Sequence, residues 1–282
     1  RHDGWAMDPK ALHIWPRGGA MMIALPNPDK TFTCTLFWPF TGSHGFDRLR
    51  TPDEVERFFR EHYPDAVPLM PMLKEDFLAN PTSSLVTVKC WPWVHMTAGG
   101  ADGSRAVAVL GDAAHAIVPF YGQGMNCAFE DVRVLAESIK RQGGDLARAL
   151  PEFQVLRKPN ADAIADMAIE NFEEMRDKVG SRLFLWRKKL EHTLHAWFPA
   201  TMVPRYDLVS FSTVPYVEAR QQGERIDTII RMVVSLGAIA VVLLLGAAGV
   251  MRFTFALFVA VVLWYFLSEP PRVRPPGRSS VH

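Results

Sequence analysis

The first part of the chain alternates short apolar runs with turn residues, a pattern typical of β-strands. Met21 to Leu25 and Thr31 to Trp38 flank Pro26 to Lys30 (PNPDK), whose residue types favour a turn. In the second run apolar residues alternate with threonines, which is the period of a half-buried strand. The pattern predicts a hairpin, with His13 to Pro16 as a further short strand.

Further elements are indicated between Thr51 and Leu110. Thr51-Pro52-Asp53-Glu54 predicts the start of a helix, because Thr51 can cap it and Glu54 can complete a capping box. Leu85 to Trp93 is a strand candidate. Ala106 to Leu110 is apolar throughout, which predicts a buried strand.

The period changes to that of helices after Tyr121. Met125, Phe129, Val132 and Ala136 recur at helical spacing, and Gly143-Gly144 ends the element. A second helix is predicted from about Asn160 to Val179, just after Pro159. A third helix is predicted from about Ser181 to Trp197.

Composition and charge exclude several classes of protein. Hydrophobic residues make up 49% of the 282 residues, enough to bury a core, and the formal net charge of +1 gives no support for a nucleic-acid-binding surface. Cys34, Cys90 and Cys127 are scattered, so they form no metal-spaced pair and no disulfide framework. This usage suits a reducing compartment.

The end of the chain predicts a membrane anchor. Met232 to Met251 has no charged residue and the length of about 20 residues that a helix needs to span a bilayer. Arg252 separates it from a second apolar run, Phe253 to Leu267. Arginines lie on both sides of the apolar block, which favours a helical hairpin with both ends cytoplasmic. A single span followed by an interfacial helix remains open.

The stretch from Val107 to Asp131 carries the most informative chemistry. Gly122 and Gly124 allow a backbone to approach a flat or anionic group, and free N–H groups at a helix start favour negative charge. Asp112, at the carboxyl end of the predicted strand, is placed to accept hydrogen bonds from sugar-like hydroxyls. Each part alone has a simpler interpretation: a Gly-x-Gly turn, a turn-capping aspartate and, for His115, a packed loop histidine.

Taken together, Gly111 to His115 (GDAAH) and Pro119 to Asn126 (PFYGQGMN) resemble the FAD-dependent aromatic hydroxylases, which share the para-hydroxybenzoate hydroxylase fold. The resemblance implies that Gly111 and Asp112 bind FAD, with Asp112 on the ribityl chain. It places Pro119 and Phe120 by the ring face where oxygen reacts, as catalytic positions, and Pro119 also in contact with the cofactor. The residues expected by the pyrimidine edge of the flavin are Gly122, Gln123, Gly124, Met125 and Asn126.

The resemblance is strongest to a membrane-anchored subgroup that uses FAD, NADPH and O2 to convert L-kynurenine to 3-hydroxykynurenine. The segments that carry it include HIWPRG (His13 to Gly18), FTCTLFWP (Phe32 to Pro39) and ENFEEMR (Glu170 to Arg176). It implies that Asn171 and Tyr206 hold the amino-acid group of the substrate. On spacing alone, an asparagine paired with a nearby backbone group remains equally open, and a tyrosine between Pro204 and an apolar run is usually a core residue.

The expected fold class is α+β: the C-terminal part of such a monooxygenase, a β-sheet substrate domain plus helices, followed by a transmembrane helical segment. No G-x-G-x-x-G stands in the chain, so we expect a C-terminal fragment, or a gene model truncated at its start, that binds FAD weakly or not at all by itself. The expected regions are a β-sheet substrate-binding region (1–105), an FAD-binding segment with a flavin-facing helix (106–145), a helical region completing the substrate site (146–227), the membrane anchor (228–268) and a disordered tail (269–282).

Two other functions remain open on the sequence. One is a membrane-anchored flavin monooxygenase that acts on a lipid or quinone precursor, for which polar residues at Asn171 and Tyr206 would be unexpected. The other is a flavin-free, membrane-anchored interaction module. The partners expected on the first interpretation are L-kynurenine, O2 and membrane lipid, with the catalytic part in the cytoplasm and the organelle not indicated.

Overall fold

A computed structural model describes residues 4–42, 45–97, 105–178 and 181–247, together with positions 259, 260 and 264. An antiparallel sheet near the start contains β1 (His13–Pro16), β2 (Met21–Pro26) and β3 (Phe32–Phe37), in that spatial order. Met22 pairs with Leu36 and Ala24 with Cys34 across the hairpin. The predicted hairpin and the short first strand are therefore confirmed.

One face of this sheet packs on α1 (Pro52–His62). The helix begins as predicted, since the Thr51 side chain accepts from the Glu54 N–H and the Glu54 carboxylate accepts from the Thr51 N–H. Trp38 lies edge-on to Phe58 of α1, with ring centroids 4.7 Å apart. A short 3₁₀ turn and α2 (Leu73–Ala79) follow α1.

The strand predicted over Leu85 to Trp93 is wrong. Val88 and Cys90 donate their N–H groups to the carbonyls of Ala116 and Ala114, so the segment runs beside a helical turn and not in a sheet. The strand in this region is β4 (Val94–Thr97), paired antiparallel with β5 (Arg105–Ala108). The strand predicted over Ala106 to Leu110 is present in part as β5, but its expected burial is wrong, because Val107 is 65% exposed.

The helix predicted after Tyr121 is present, but the face that it buries is not the one that carries Met125 and Phe129. It is α4 (Gly124–Arg141), reached through α3 (Asp112–His115) and a 3₁₀ turn, Pro119–Tyr121. Met125 and Phe129 of the apolar stripe are 69% and 65% exposed. The buried face of α4 instead carries Cys127, Asp131, Val134 and Ser138.

The longest internal helix passes through the position at which the sequence predicts a start. α5 (Leu146–Glu173) contains Pro151 and Pro159 and ends in a π-helical turn, Glu174–Lys178. A proline inside a helix costs about 3 kcal/mol. Burial of Ala161, Ile164 and Met167 in the main core offsets that cost, because α5 packs against α4 and against the helix that begins at Tyr216.

The remaining helices complete this layer. α6 (Arg182–Trp197) starts after Ser181, as predicted, and the structure shows that the Ser181 side chain caps it by accepting from the Phe184 N–H. α7 (Arg205–Phe211) and α8 (Tyr216–Ala247) follow. Ile226 and Ile230 of α8 are buried with Met202 and pack on Leu190 and Leu194 of α6.

The predicted transmembrane segment is not borne out. Among the residues that the structure describes, no helix is both long enough and apolar enough to cross a membrane. α8 begins sixteen residues before the apolar run, carries charged side chains such as Glu224 and Arg231 on its earlier turns, and packs on α5. The described part of the run, Met232 to Ala247, is shorter than the roughly 20 residues that a span needs. Most of Phe253 to Leu267, and the tail 269–282, lie outside the described residues.

Candidate functional site

The loop between β5 and α3 presents the first predicted site residues. Gly111 has φ +58° and ψ −144°, a conformation that only glycine adopts without strain. A Cβ at this position would lie 3.4 Å from the Cβ of Ala128, so the loop rests on α4. Asp112 is exposed, and its carboxylate has no hydrogen-bond partner among the described residues. The loop therefore offers an unpaired acceptor beside α4.

A buried ionic network fixes this loop. Asp131 of α4 is fully buried, and its Oδ2 accepts hydrogen bonds from the Gly111 N–H at 2.9 Å and from His115 Nε2 at 2.5 Å. Its Oδ1 accepts from Nε of Arg157 on α5 at 2.8 Å. Nη1 of Arg157 also reaches Glu130 at 2.7 Å. Asp131 thus joins the loop, α3, α4 and α5.

The network holds His115 and Asp131 in their charged forms. Burial opposes charge on His115, but its hydrogen bonds to Asp131 and Cys127 outweigh burial and raise its pKa from 6.5 to about 10. Burial likewise opposes charge on Asp131, but hydrogen bonds from His115, Arg157 and Gly111 keep its pKa below the ordinary value. The two shifts agree on an ion pair.

The start of α4 forms the second part of the site. Gly122 has φ +67°, and neither Gly122 nor Gly124 has an atom within 4 Å of an added Cβ. No side chain caps the first N–H groups of α4, while Met125 and Asn126 are exposed. Free N–H groups and open space at a helix start suit an anionic or flat ligand.

Gln123 is the exception among these predicted contacts, because its side chain is buried. Its Oε1 accepts hydrogen bonds from Asn126 Nδ2 at 3.0 Å and from the Tyr216 hydroxyl at 3.1 Å. The side chain of Gln123 therefore holds the loop to α8. Its Oε1 is thus engaged within the protein, and its backbone remains available for a ligand.

The Pro119–Tyr121 turn carries the two predicted catalytic positions. Pro119 is exposed, whereas Phe120 is buried and stacks on Phe172 of α5, with ring centroids 4.3 Å apart. Phe37 of β3 lies 5.0 Å from the Phe120 ring. The turn thus meets both the sheet and α5 through an aromatic cluster formed by Phe37, Phe120 and Phe172.

The two predicted substrate residues contact this same turn. Asn171 Nδ2 donates to the Phe120 carbonyl at 2.8 Å. Tyr206, 47% exposed, stacks on Tyr121 with ring centroids 5.7 Å apart. Next to Tyr206, Arg205 forms an ion pair with Glu170 of α5 at 2.8 Å. The structure therefore brings Asn171 and Tyr206 to two adjacent residues, Phe120 and Tyr121, of the same three-residue turn.

The arrangement fits a bound FAD. Asp112 provides an acceptor for hydroxyl groups, the uncapped start of α4 provides donors, and the two glycines leave the space that a ring would fill. The second part is the start of α4, and the first is the loop before α3, which Gly111 holds against α4. Trp15 and Trp38 pack on the α1 side of the sheet, against the core that contains Phe58.

The sequence interpretation missed Asp131, Arg157 and Tyr216. A signal for Asp131 and Arg157 was present, because each charged residue lies at helical spacing among residues that are buried on its own helix. Asp131 lies on the same face of α4 as Cys127, Val134 and Ser138. Arg157 lies one turn after Phe153 on the buried face of α5. A charge on such a stripe implies a buried partner. Tyr216 carried no comparable signal.

A known protein family matches the segment in which this site lies. Residues 82–148 match the protein-family model described as "FAD binding domain". This range contains the Gly111–Asp112 loop, the Pro119–Tyr121 turn and α4. The match supports the predicted FAD, whereas NADPH is not tested by it. The chain thus resembles the FAD-dependent hydroxylases in the segment where the site lies.

The resemblance extends to particular enzymes. The chain is 53% identical over 224 residues to the kynurenine 3-monooxygenase of Myxococcus xanthus, covering 79% of this chain and 46% of that protein. It is 49% identical over 229 residues to that of Dictyostelium discoideum (77% and 48%) and 47% identical over 232 residues to that of Flavobacterium psychrophilum (82% and 50%). These matches confirm the resemblance. The chain spans about half the length of these curated relatives.

Proposed function

We propose that this chain contributes one side of the FAD site and part of the substrate site of a monooxygenase that hydroxylates L-kynurenine to 3-hydroxykynurenine with NADPH and O2. The observation that carries the proposal is the contact of Gly111 with α4 through Asp131 and Ala128. That contact sets the unpaired Asp112 carboxylate beside the helix whose N-terminus is open.

The chain's own residues have defined tasks in this proposal. FAD bound here would, once reduced by NADPH, activate O2 for transfer of one oxygen atom to the substrate. Asp112 accepts hydrogen bonds from ribityl hydroxyls, and the first N–H groups of α4 stabilise negative charge on the flavin ring. The Phe37, Phe120 and Phe172 cluster excludes water from one side of the Pro119–Tyr121 turn.

Asn171 suits recognition of an amino-acid substrate. Its amide nitrogen is engaged by Phe120, which fixes the orientation of the side chain. Its Oδ1 has no partner in the part of the chain that the structure describes, and a carbonyl oxygen is an acceptor for an ammonium group. The Tyr206 hydroxyl, on a half-exposed ring, is a second polar group at the same turn.

The function is tested by assaying the complete polypeptide that contains this chain, supplied with FAD. L-Kynurenine is expected to stimulate NADPH oxidation and to yield 3-hydroxykynurenine in equal amount. Stimulation by a quinone precursor and not by L-kynurenine would favour the lipid-type alternative. Absence of flavin binding would favour the interaction module.

A further inference from the structure

We propose that the buried trio of His115, Asp131 and Arg157 is the positioning device of the flavin site, setting the Asp112 loop against the first turns of α4. This inference rests on the proposed function, because it concerns how the same site is held. None of the three side chains reaches the surface, since each is at most 1% exposed. They act on a ligand only through the backbone that they hold.

Each member of the trio comes from a different element. His115 ends α3, Asp131 lies on the second turn of α4, and Arg157 is in the middle of α5. Asp131 receives a donor from each of the other two and one from the Gly111 backbone. Gly111 immediately precedes Asp112. The carboxylate that would meet the ribityl chain is therefore one residue from a backbone N–H that is hydrogen-bonded to α4.

A second set of contacts holds the helix side of the arrangement. Nη2 of Arg157 lies 3.3 Å from both the carbonyl oxygen and the Sγ of Cys127, in the first turn of α4. Cys127 Sγ is 3.9 Å from His115 Nδ1, and the Trp93 ring packs on His115 with centroids 5.2 Å apart. The loop and the start of α4 therefore share one set of supports.

Stability alone does not account for such a network. Replacing a buried ion pair by apolar side chains of similar volume is often neutral or stabilising, because two charges must lose their hydration. What apolar packing does not supply is direction, since hydrogen bonds fix distances and angles between backbone segments. A site whose two walls come from different elements requires that direction: a misplacement of about 1 Å can cost about 100-fold in function.

A metal ion bound by His115, Cys127 and Asp131 is not consistent with the contacts of these residues. His115, Cys127 and Asp131 offer a nitrogen, a sulfur and an oxygen that lie within 4.8 Å of one another. However, the Arg157 guanidinium already touches Asp131 and Cys127, and its positive charge occupies the place of a cation. The pKa of His115, raised to about 10, also keeps its ring protonated and unable to bind a metal.

The test compares four forms of the complete polypeptide: wild type, His115→Ala, His115→Gln and Ile164→Ala. His115→Ala removes the donor to Asp131, whereas His115→Gln retains an N–H donor at this position. Ile164, fully buried in the same core and on the same helix as Arg157, has no polar contact with the trio, so it serves as the matched control for lost stability. FAD affinity is measured by quenching of flavin fluorescence, the geometry of bound flavin by visible circular dichroism, and stability by urea unfolding.

We expect His115→Ala to weaken FAD binding by at least about tenfold and to change the circular dichroism of the flavin still bound. His115→Gln should restore the affinity to within about threefold of wild type. Ile164→Ala should lose comparable stability with unchanged affinity. If His115→Ala does not fold, Arg157→Lys serves in its place, because lysine keeps the charge but loses the forked contacts and should weaken binding similarly.

Two results would overturn the inference while leaving the proposed function intact. One is wild-type FAD affinity in a folded His115→Ala or Arg157→Lys protein. The other is an equal loss of affinity in Ile164→Ala, which would reduce the trio to a contribution to general stability. Wild-type protein that binds no FAD would instead refute the proposed function itself.

Discussion

The side-chain amide of Asn171 donates a hydrogen bond to the backbone carbonyl of Phe120, with Nδ2 2.8 Å from the carbonyl oxygen. This contact ties the last turns of α5 to the turn that would face the flavin. Phe172, the next residue, stacks on the Phe120 ring, so both the backbone and the side chain of Phe120 are held by α5. The sequence left open whether Asn171 meets a substrate or a backbone group, and one of its two polar atoms meets the backbone.

Substitution of Asn171 should affect substrate more than flavin. Asn171→Ala removes the oxygen proposed to meet the substrate ammonium group and the hydrogen bond to Phe120. We expect the KM for L-kynurenine to rise by about tenfold, with FAD affinity within about threefold of wild type. Steady-state NADPH oxidation and flavin titration measure the two quantities. A lost flavin with an unchanged KM would contradict the assignment.

Tyr206 allows its hydroxyl to be separated from its ring. Tyr206→Phe keeps the stacking on Tyr121, so the free energy of unfolding should not change, but the KM for L-kynurenine should rise by about three- to tenfold. Tyr206→Ala should also lower stability, by about 1 kcal/mol, because the stacking is lost. If Tyr206→Phe has the wild-type KM, the hydroxyl has no role in substrate binding.

Alanine substitution should lower stability at Gly223 and FAD affinity at Gly124. A Cβ at Gly223 of α8 would lie 2.8 Å from the Cδ of Arg205, which is held by Glu170, so Gly223→Ala should lower the free energy of unfolding by about 1–3 kcal/mol. A Cβ at Gly124 would meet no atom within 4 Å. Gly124→Ala should therefore keep full stability but weaken FAD binding by about tenfold, because the methyl group enters the space left for the flavin.

Urea unfolding and flavin titration of both variants check this pair. Loss of stability in Gly124→Ala would mean that the open space is absent. Unchanged FAD affinity in a stable Gly124→Ala protein would mean that the space is not used by the flavin.

The trio also predicts a dependence of stability on pH. The pKa of His115 is raised from 6.5 to about 10 in the folded protein, so its contribution is complete below about pH 6.5 and is lost as pH rises through about 10. The pKa of Asp131 is lowered, so its contribution persists through this range. Cys127, Glu130 and Arg157 surround the pair.

The difference in unfolding free energy between wild type and His115→Gln should therefore shrink between about pH 6.5 and pH 10. Urea unfolding at several pH values measures it. A difference that grows with pH would show that His115 is neutral in the folded protein.

The local elements were predictable where the signal was short-ranged. The hairpin around Pro26 to Lys30, the capping box at Thr51 and the helix start near Ser181 depend on neighbouring residues, and all three are present. Pro159 misled the prediction of α5, because packing of the buried face of that helix outweighs the local cost of proline. Long-range packing of this kind is not visible in a window of sequence.

The site was only partly predictable for the same reason. The motif residues were found, but the buried side chains that hold them come from separate helices. The stripe of Met125, Phe129 and Val132 was more conspicuous than the face of α4 that is buried, because Asp131 interrupts the apolar pattern there. The predicted membrane anchor rested on the length and apolar composition of the run and on its flanking arginines, and the described part of that run belongs to α8, which packs on α5 and α6.

The central claim is that Asp112 and the start of α4 bind one FAD, and Asp112→Asn tests it most directly. The residue is exposed and its carboxylate has no partner among the described residues, so the substitution should leave the free energy of unfolding unchanged. Flavin titration of the complete polypeptide should show FAD binding at least about tenfold weaker than in wild type, because the ribityl hydroxyls lose a charged acceptor. Equal FAD affinity in Asp112→Asn and wild type would contradict the account.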